Sequence, residues 1–212
     1  MKSTNLVIAL TKGRILKETL PLLAAANIEP VEDITQSRKL LFDTNLDNIK
    51  LMVVRGSDVP TYVEFGSADM GVAGKDLILE HGSNGFYEPL DLRIAKCRLM
   101  TAEPMVPSST SDTLKVATKF TNIAKKYFAE QGQQVELIKL NGALELAPSL
   151  GLADLIVDIV ETGKTLTANR MEPKDLIANI SSRVIVNKAS MKIKNVIIRD
   201  ILRKLNAAVN KS

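Results

Sequence analysis

Short apolar runs alternate with amphipathic segments along this chain. The first run, LVIAL at residues 6–10, predicts a buried strand, and Leu16, Leu20 and Leu23 then recur at helical spacing. A second run, LMVV at 51–54, predicts another strand. Because strands that alternate with helices favour a parallel or mixed sheet covered by helices, we expect an α/β fold.

The next elements are read from residues typical of helix ends. They are a helix that begins near Ser57 or Asp58 and ends at Gly66, a strand over 70–73, and a helix over 75–80. A second series begins at Lys115. It predicts strands at 115–118, 135–140 and 154–160, a helix over 122–130 and a short helix near Glu145.

The chain shows a break between the two series. The segment EPMVPSSTSD at 103–112 is rich in proline and serine, which is typical of a link between lobes. We expect the final strand, SSRVIVN, and a long amphipathic helix from about Ser190 to Val209 to return to the first lobe. The predicted lobes are 1–102 with 181–212, and 103–180.

The stretch DIVETGKTL at 158–166 carries the strongest chemical signal. An apolar run ends there in a loop where Gly163 lets the backbone approach a ligand, and Thr162 and Thr165 add hydroxyl donors. A helix starting near Leu166 would direct unpaired N–H groups and its positive dipole end into the loop. This pattern predicts a phosphate site. The alternative is a tight strand-to-helix turn, which is common in α/β proteins.

A longer pattern, ELAPSLGLADLIVDIVETGKTL, resembles the signature of the ATP phosphoribosyltransferase family, the first enzyme of histidine biosynthesis. The matching positions are Glu145, Gly151, Ala153, Ile156, Asp158, Thr162, Gly163, Thr165 and Leu166. Further family-like segments are ALTKGRI, SRKL, VRGSDVPTYVEFGSADMGVAGKDLILE, DLRIAKCRLM, VATKFTNIAKKYF and SSRVIVN. The resemblance therefore covers nearly the whole chain. Two departures, Thr11 in place of proline or serine and Gly56 at a variable position, remove no charged group.

The resemblance implies a two-lobed fold similar to the type II periplasmic binding proteins, with the active site in the cleft between the lobes. It implies transfer of phosphoribosyl from 5-phosphoribosyl-1-pyrophosphate (PRPP) to N1 of ATP adenine, with Mg²⁺ assisting. The adenine nitrogen attacks through a lone pair, so no general base is required. The lone histidine, His81, next to a glycine, is accordingly expected to end a helix rather than to catalyse.

Four cationic residues are candidates for binding the leaving diphosphate and the nucleotide. Arg14, in the KGR turn, and Arg38, in SRKL, are expected to stabilise the departing pyrophosphate, because a guanidinium offers a planar fork of donors. Lys12 adds charge in the same turn, and Arg55 is a further anion or nucleotide contact. The alternative for each arginine is a surface salt bridge.

The loop residues are expected to divide the work on the sugar phosphate. Those expected to cradle the 5-phosphate are Thr162, Gly163, Lys164 and Thr165, with Leu166 packed beneath. Glu161 is the first choice for accepting hydrogen bonds from ribose hydroxyls. Asp158 either shares that role or holds the loop by bonding its N–H groups, and Glu145 either orients the loop or binds through the metal.

Composition narrows the class of protein. The chain has 212 residues, of which 45% are hydrophobic and 25% charged, which suits a globular protein. Its single cysteine, Cys97, cannot form an internal disulfide, and the sequence shows neither an apolar signal region nor a membrane-length apolar run. We therefore expect a cytoplasmic protein.

Charge gives no sign of a nucleic-acid partner. The net charge is only +4, aromatic residues make up 4%, and tryptophan is absent, so little is available to stack on bases. The basic residues near the C-terminus are expected to form the solvated face of a helix. They are Lys192, Lys194, Arg199, Arg203 and Lys204.

The resemblance also implies partners. Long members of the family carry a further C-terminal domain that binds histidine, and this chain resembles the short form. A homodimer is therefore expected, together with a regulatory subunit resembling histidyl-tRNA synthetase and little inhibition by histidine in its absence. The main alternative is a two-lobed protein that binds a phosphorylated small molecule without catalysis. A phosphoribosyltransferase acting on another base is a third possibility.

Overall fold

The computed structural model describes residues 5–106 and 113–211 of the chain. By their internal contacts these residues form two compact units. The first consists of the described residues of Met1–Ala95 and Ser181–Ser212, and the second of those of Lys96–Ile180. The chain thus leaves the first unit after Ala95 and returns to it at Ser181.

The first unit is built on a six-stranded sheet. Its strands are β1 (Leu6–Thr11), β2 (Leu41–Asp43), β3 (Ile49–Val54), β4 (Met70–Gly74), β5 (Phe86–Asp91) and β11 (Ser182–Asn187). Its helices are α1 (Arg14–Ala25), α2 (Val59–Glu64), α3 (Lys75–His81), α7 (Lys188–Ile193) and α8 (Asn195–Val209), with a 3-10 turn at Gly56–Asp58. The strand order is β2-β3-β1-β4-β11-β5, and β1 pairs in parallel with β3 and β4.

The central strands of this sheet are buried on both faces, which explains why they read as continuous apolar runs. Leu6, Ile8 and Leu10 of β1 enter a core that also contains residues of α1 and α8. Val7 and Ala9, which point to the opposite face, lie in a second core with residues of α2 and α3. The central strands are therefore covered by helices on both sides.

The second unit has a five-stranded sheet. Its strands are β6 (Cys97–Pro104), β7 (Leu114–Thr118), β8 (Val135–Lys139), β9 (Leu155–Val160) and β10 (Met171–Ile180). Its helices are α4 (Thr121–Glu130), α5 (Leu146–Ser149) and α6 (Lys164–Ala168). The order is β10-β6-β9-β7-β8; β7 is parallel to β8 and β9, whereas β6 is antiparallel to β9 and β10.

The predicted strands at 6–10, 51–54, 70–73, 115–118 and 154–160 are confirmed. The expected lobe boundaries were 102/103 and 180/181, and the compact units divide at 95/96 and 180/181. The first differs because β6 pairs from Cys97 to Pro104 with β10 of the second unit. Residues 107–112 of the predicted linking segment lie outside the described residues.

The single long helix expected from Ser190 to Val209 was wrong, because two helices, α7 and α8, meet at Lys194. Lys194 has φ −110° and ψ 28°, which is not helical, and its Nζ lies 2.8 Å from Asp69 Oδ2. Asp69 is buried and also accepts hydrogen bonds from Val7 N at 2.9 Å and Ser190 Oγ at 2.6 Å. Lys194 therefore lies in an internal ion pair rather than on the solvated basic face predicted for it.

None of the helices that the structure describes is both long enough and apolar enough to cross a bilayer.

Candidate active site

The predicted phosphate loop lies between β9 and α6, at one edge of the second sheet. Gly163 has φ 76°, a left-handed conformation that a residue with a side chain rarely adopts, and α6 begins at the next residue. Thr167 N donates to Gly163 O at 3.0 Å, which closes the first turn. Thr162 and Thr165 are exposed, whereas Leu166 is only 5% exposed and belongs to the core below the loop. The loop therefore presents hydroxyl and backbone groups outward above an apolar base.

Parallel pairing brings two further loops to the same edge of the sheet. Strands β7, β8 and β9 run in one direction, so the residues that follow each of them share an edge. Lys119 follows β7, and Glu145 follows β8 just before α5. Thr118 Oγ1 fixes the end of β7, since it donates to Val157 O at 2.7 Å and accepts from Phe120 N at 2.9 Å. Ligands of open α/β sheets bind at such an edge.

Asp158 lies on β9 in a mixed electrostatic environment. Its Oδ1 is buried without a hydrogen-bond partner in the part of the chain that the structure describes, and Lys119 Nζ lies 3.8 Å away. Burial raises the pKa of Asp158 above its ordinary value, and the carboxylate of Glu145 adds to the rise. The backbone N–H of Ile159 and the charge of Lys119 oppose it. Asp158, Glu145 and Lys119 therefore interact electrostatically beside the loop.

Four predicted cationic residues lie in the first unit, around the carboxyl ends of β1 and β3. Lys12 N donates to Val54 O at 3.0 Å, so Lys12 and Arg55 emerge side by side from neighbouring parallel strands. Arg14 is the first residue of α1, and its side chain is 46% exposed. Lys12, Arg14 and Arg55 therefore place positive charge at the carboxyl ends of β1 and β3.

A cavity of about 140 Å³ in the first unit brings two of the predicted residues together. Lys12 and Arg38 line it, along with Lys17, Lys39, Thr35 and Ser37. A small cavity lined by four cationic and two hydroxyl residues suits a phosphate group, and one of the four, Lys39, also pairs with Glu32 Oε1 at 2.7 Å. Arg14 and Arg55 are not among its lining residues.

His81 occupies the expected structural position. It is the last residue of α3, its Nε2 lies 2.6 Å from Glu64 Oε2, and its ring stacks on Phe86 with centroids 5.9 Å apart. Ser83 Oγ donates to the same carboxylate. The side chain of His81 is thus held in a local contact between α2 and α3.

Sequence reasoning did not single out Lys119, Lys17 or Lys39, which lie beside the predicted site residues. Lys119 lies in the family-like segment VATKF and directly follows a predicted strand, which was the available signal. Lys17 lies one turn of α1 after Gly13, another residue of the cavity. Among residues 5–106 and 113–211, no group of three or more His, Cys, Asp or Glu side chains could hold a metal ion by itself.

Comparison with known proteins decides the family. The family model HisG, ATP phosphoribosyltransferase, matches residues 55–207. A protein of Saccharophagus degradans named ATP phosphoribosyltransferase is 65% identical over 207 residues, 98% of this chain and 97% of that protein. The chain belongs to the ATP phosphoribosyltransferase family. It is an enzyme of the first step of histidine biosynthesis, as the sequence predicted.

A second relative agrees in length, and a solved structure agrees in fold. The ATP phosphoribosyltransferase of Teredinibacter turnerae is 60% identical over 207 residues, 98% of this chain and 97% of that protein. A chain of the ATP phosphoribosyl transferase (HisG:HisZ) complex from Thermotoga maritima is similar with a TM-score of 0.86 and 32% identity, over 98% of this chain and 100% of that one. The expected α/β fold of the family is confirmed.

Proposed function

We propose that the loop Thr162–Thr165 binds the 5-phosphate of PRPP while Arg14 and Arg38 stabilise the diphosphate that departs as N1 of ATP adenine attacks. The observation that carries this proposal is the left-handed Gly163, because it exposes loop backbone at the carboxyl edge of three parallel strands. Apart from its two chain neighbours, no described residue has a heavy atom within 4 Å of the position where a Cβ on Gly163 would lie, so a ligand has room to approach.

The loop suits a phosphate monoester. Hydroxyls of Thr162 and Thr165 and the ammonium of Lys164 are exposed at the start of α6, where backbone N–H groups lack helical partners. Such a set binds a dianion with neutral and charged donors together. Leu166 anchors the turn in the core and keeps it in place.

The arginines suit the leaving group. The bond from the ribose carbon to the diphosphate breaks as negative charge builds on the diphosphate, and preorganised cations stabilise that charge. Arg38 and Lys12 already share one cavity, and Arg55 lies beside Lys12. We assign the leaving-group role to Arg14 and Arg38, and supporting anion or nucleotide contacts to Lys12 and Arg55.

Carboxylates complete the site. We assign Glu161, which is exposed directly after β9, to the ribose hydroxyls. Glu145 and Asp158 fit a Mg²⁺ ion that is bound in part by phosphate oxygens, because the two carboxylates interact and Asp158 Oδ1, which has no hydrogen-bond partner among the described residues, lies 3.8 Å from Lys119 Nζ. When bound, Mg²⁺ would neutralise diphosphate charge.

The alternative functions lose their support. The relatives reported above are named for the transferase, so a binding protein without catalysis does not account for them. A transferase acting on another base shares the loop but not the family match over residues 55–207.

We further propose a cytoplasmic homodimer that associates with a regulatory partner. The similar structure from Thermotoga maritima is a HisG:HisZ complex, which supports a HisZ partner. The family resemblance implies that this partner is similar to histidyl-tRNA synthetase. Light scattering of the chain, alone and mixed with such a partner, tests both assemblies. A monomer in both samples would contradict them.

The assay for the reaction mixes the chain with ATP, PRPP and Mg²⁺ and follows the ultraviolet absorbance of the adduct. Arg14→Ala and Arg38→Ala should each lower kcat by about 100- to 1000-fold, as for loss of one transition-state donor. Arg203→Ala is the matched control, because Arg203 is an exposed arginine of α8 paired with Asp200. Wild-type turnover in both Arg14→Ala and Arg38→Ala would refute the assigned roles.

A further inference from the structure

Glu18 joins two features of the first unit that the sequence leaves 77 residues apart. Its Oε1 accepts a hydrogen bond from Arg14 Nε at 2.7 Å, one turn earlier on α1. Its Oε2 accepts a hydrogen bond from the backbone N–H of Ala95 at 2.7 Å. Ala95 is the last residue of the first unit before the chain enters the second.

The segment hydrogen-bonded to Glu18 contains two residues with unusual backbone conformations. Arg93 and Ala95 have φ values of 56° and 50°, left-handed conformations that residues with side chains avoid. Such conformations persist where surrounding contacts hold them. The bond from Ala95 N to Glu18 is one of these contacts, and Arg93 N is bonded to Asp91 Oδ1 at 2.8 Å.

The same segment meets the returning chain. Ser182 N donates to Ile94 O at 3.0 Å, and Leu92 N donates to Ser182 O at 3.0 Å. Ser182, the first residue of β11, is completely buried. The segment that leaves the first unit, at Leu92 and Ile94, is therefore hydrogen-bonded to Ser182, where the chain returns to that unit. Glu18 connects this segment to α1.

From this geometry we infer that Glu18 is a positioning residue for Arg14. The backbone N–H of Ala95 fixes the Glu18 carboxylate, and the carboxylate in turn orients the Arg14 guanidinium. A planar guanidinium held at Nε has the direction of its remaining N–H donors fixed as well. The inference rests on the leaving-group role proposed for Arg14. It assigns to Glu18 no contact with substrate.

A stabilising role alone does not explain the arrangement. The side chains of Arg14 and Glu18 are 46% and 36% exposed, and an exposed ion pair four residues apart on a helix contributes little to stability. Replacement of Glu18 should therefore lower the melting temperature only by the few degrees that loss of the bond to Ala95 N–H costs, while it disturbs the orientation of Arg14. Bonds from Arg14 and from Ala95 N–H also lower the pKa of Glu18, which keeps it charged as an acceptor near neutral pH.

The test is a double-mutant cycle with Glu18→Gln and Arg14→Ala. Glutamine has one acceptor oxygen and no charge, so it cannot serve both donors. We expect Glu18→Gln to lower kcat about 10- to 100-fold, as for misplacement of a catalytic group, with the KM for ATP changed less than about twofold. The double variant should be no slower than Arg14→Ala alone, because Glu18 acts only through Arg14.

Glu130→Gln is the matched control, since Glu130 forms an exposed ion pair with Lys126 four residues earlier on α4. It should retain wild-type turnover and melting temperature. Multiplicative losses in the double variant, an unchanged kcat in Glu18→Gln, or a loss matched by unfolding would each overturn the inference and leave Arg14's role intact. Wild-type turnover in Arg14→Ala would instead refute the proposed function on which it rests.

Discussion

Lys119 Nζ lies 3.8 Å from Asp158 Oδ1, close enough to attract it but too far for a hydrogen bond. The carboxylate is therefore stabilised incompletely, and burial raises its pKa. A buried charge without full compensation costs stability in the free protein. It also leaves a cation and an acceptor available to a ligand beside the phosphate loop.

Lys119→Met should weaken PRPP binding. Loss of a charged donor next to the loop is expected to raise the KM for PRPP about tenfold or more. Lys125→Met is the control, because Lys125 is exposed on α4. Initial rates at varied PRPP and saturating ATP provide the measurement, and equal KM values for the two variants would exclude a role for Lys119.

Asp158→Asn should raise stability near neutral pH while it lowers activity. Because the pKa of Asp158 is raised on folding, the ionised carboxylate destabilises the folded state. That destabilisation is complete above the folded pKa and vanishes below the ordinary value of 3.8. Urea unfolding from acid to neutral pH should therefore show that the free energy of unfolding of Asp158→Asn increases relative to that of the wild type as pH rises.

Asp200→Asn should give the opposite sign in the same experiment. Bonds from Lys204 and Arg203 lower the pKa of Asp200, so its stabilising effect is present at neutral pH and is lost as pH falls through the folded pKa. The asparagine variant should be the less stable one at neutral pH and equal the wild type in acid. The same pH trend in both variants would contradict the assigned environments.

Gly163→Ala should separate strain from function. At φ 76° an added Cβ costs about 1 kcal/mol or more, although space is open. Gly132→Ala is a matched control, because Gly132 has φ 71°, an equally open position, and lies after α4. Chemical denaturation should show similar losses of unfolding free energy, whereas only Gly163→Ala should raise the KM for PRPP. Equal kinetics would argue against a bound phosphate at this loop.

Gly56→Ala should disturb the edge where Lys12 and Arg55 emerge. A Cβ at Gly56 would lie 2.8 Å from Leu77 Cδ1 and 2.9 Å from Thr11 Cγ2. Thr11 is buried and its Oγ1 donates to Val72 O at 2.8 Å, so it cannot move without losing that bond. We expect a loss of about 1–3 kcal/mol in unfolding free energy. Gly142→Ala, with no atom within 4 Å, should lose far less.

Gly56 also shows that a residue can be restricted by spatial neighbours that the sequence around it does not reveal. The family resemblance treats Gly56 as a variable position, yet Thr11 of β1 and Leu77 of α3 leave no room there for a side chain. The constraint comes from Thr11 and Leu77, which are distant along the chain. Local sequence does not report such a contact.

The pattern of apolar residues likewise did not predict strand β10. Residues Met171–Ile180 form β10, but half of them are exposed, Pro173 interrupts the run, and the pairing with β6 shifts register twice. The amphipathic pattern of 190–209 predicted one helix, and the internal bonds of Asp69 to Ser190 and Lys194 break it into two. In both places long-range contacts override local preference.

The sequence by itself determined the apolar strands, the glycine turn at Gly163 and the family, because burial on both faces of a sheet and a left-handed turn each restrict residue type locally. Only the tertiary structure decided that Lys119 lies beside Asp158, that Arg38 shares a cavity with Lys12, and that Glu18 connects Arg14 to Ala95. Those relationships depend on strand order and chain return, which bring together residues whose separation along the chain carries no record of their contact.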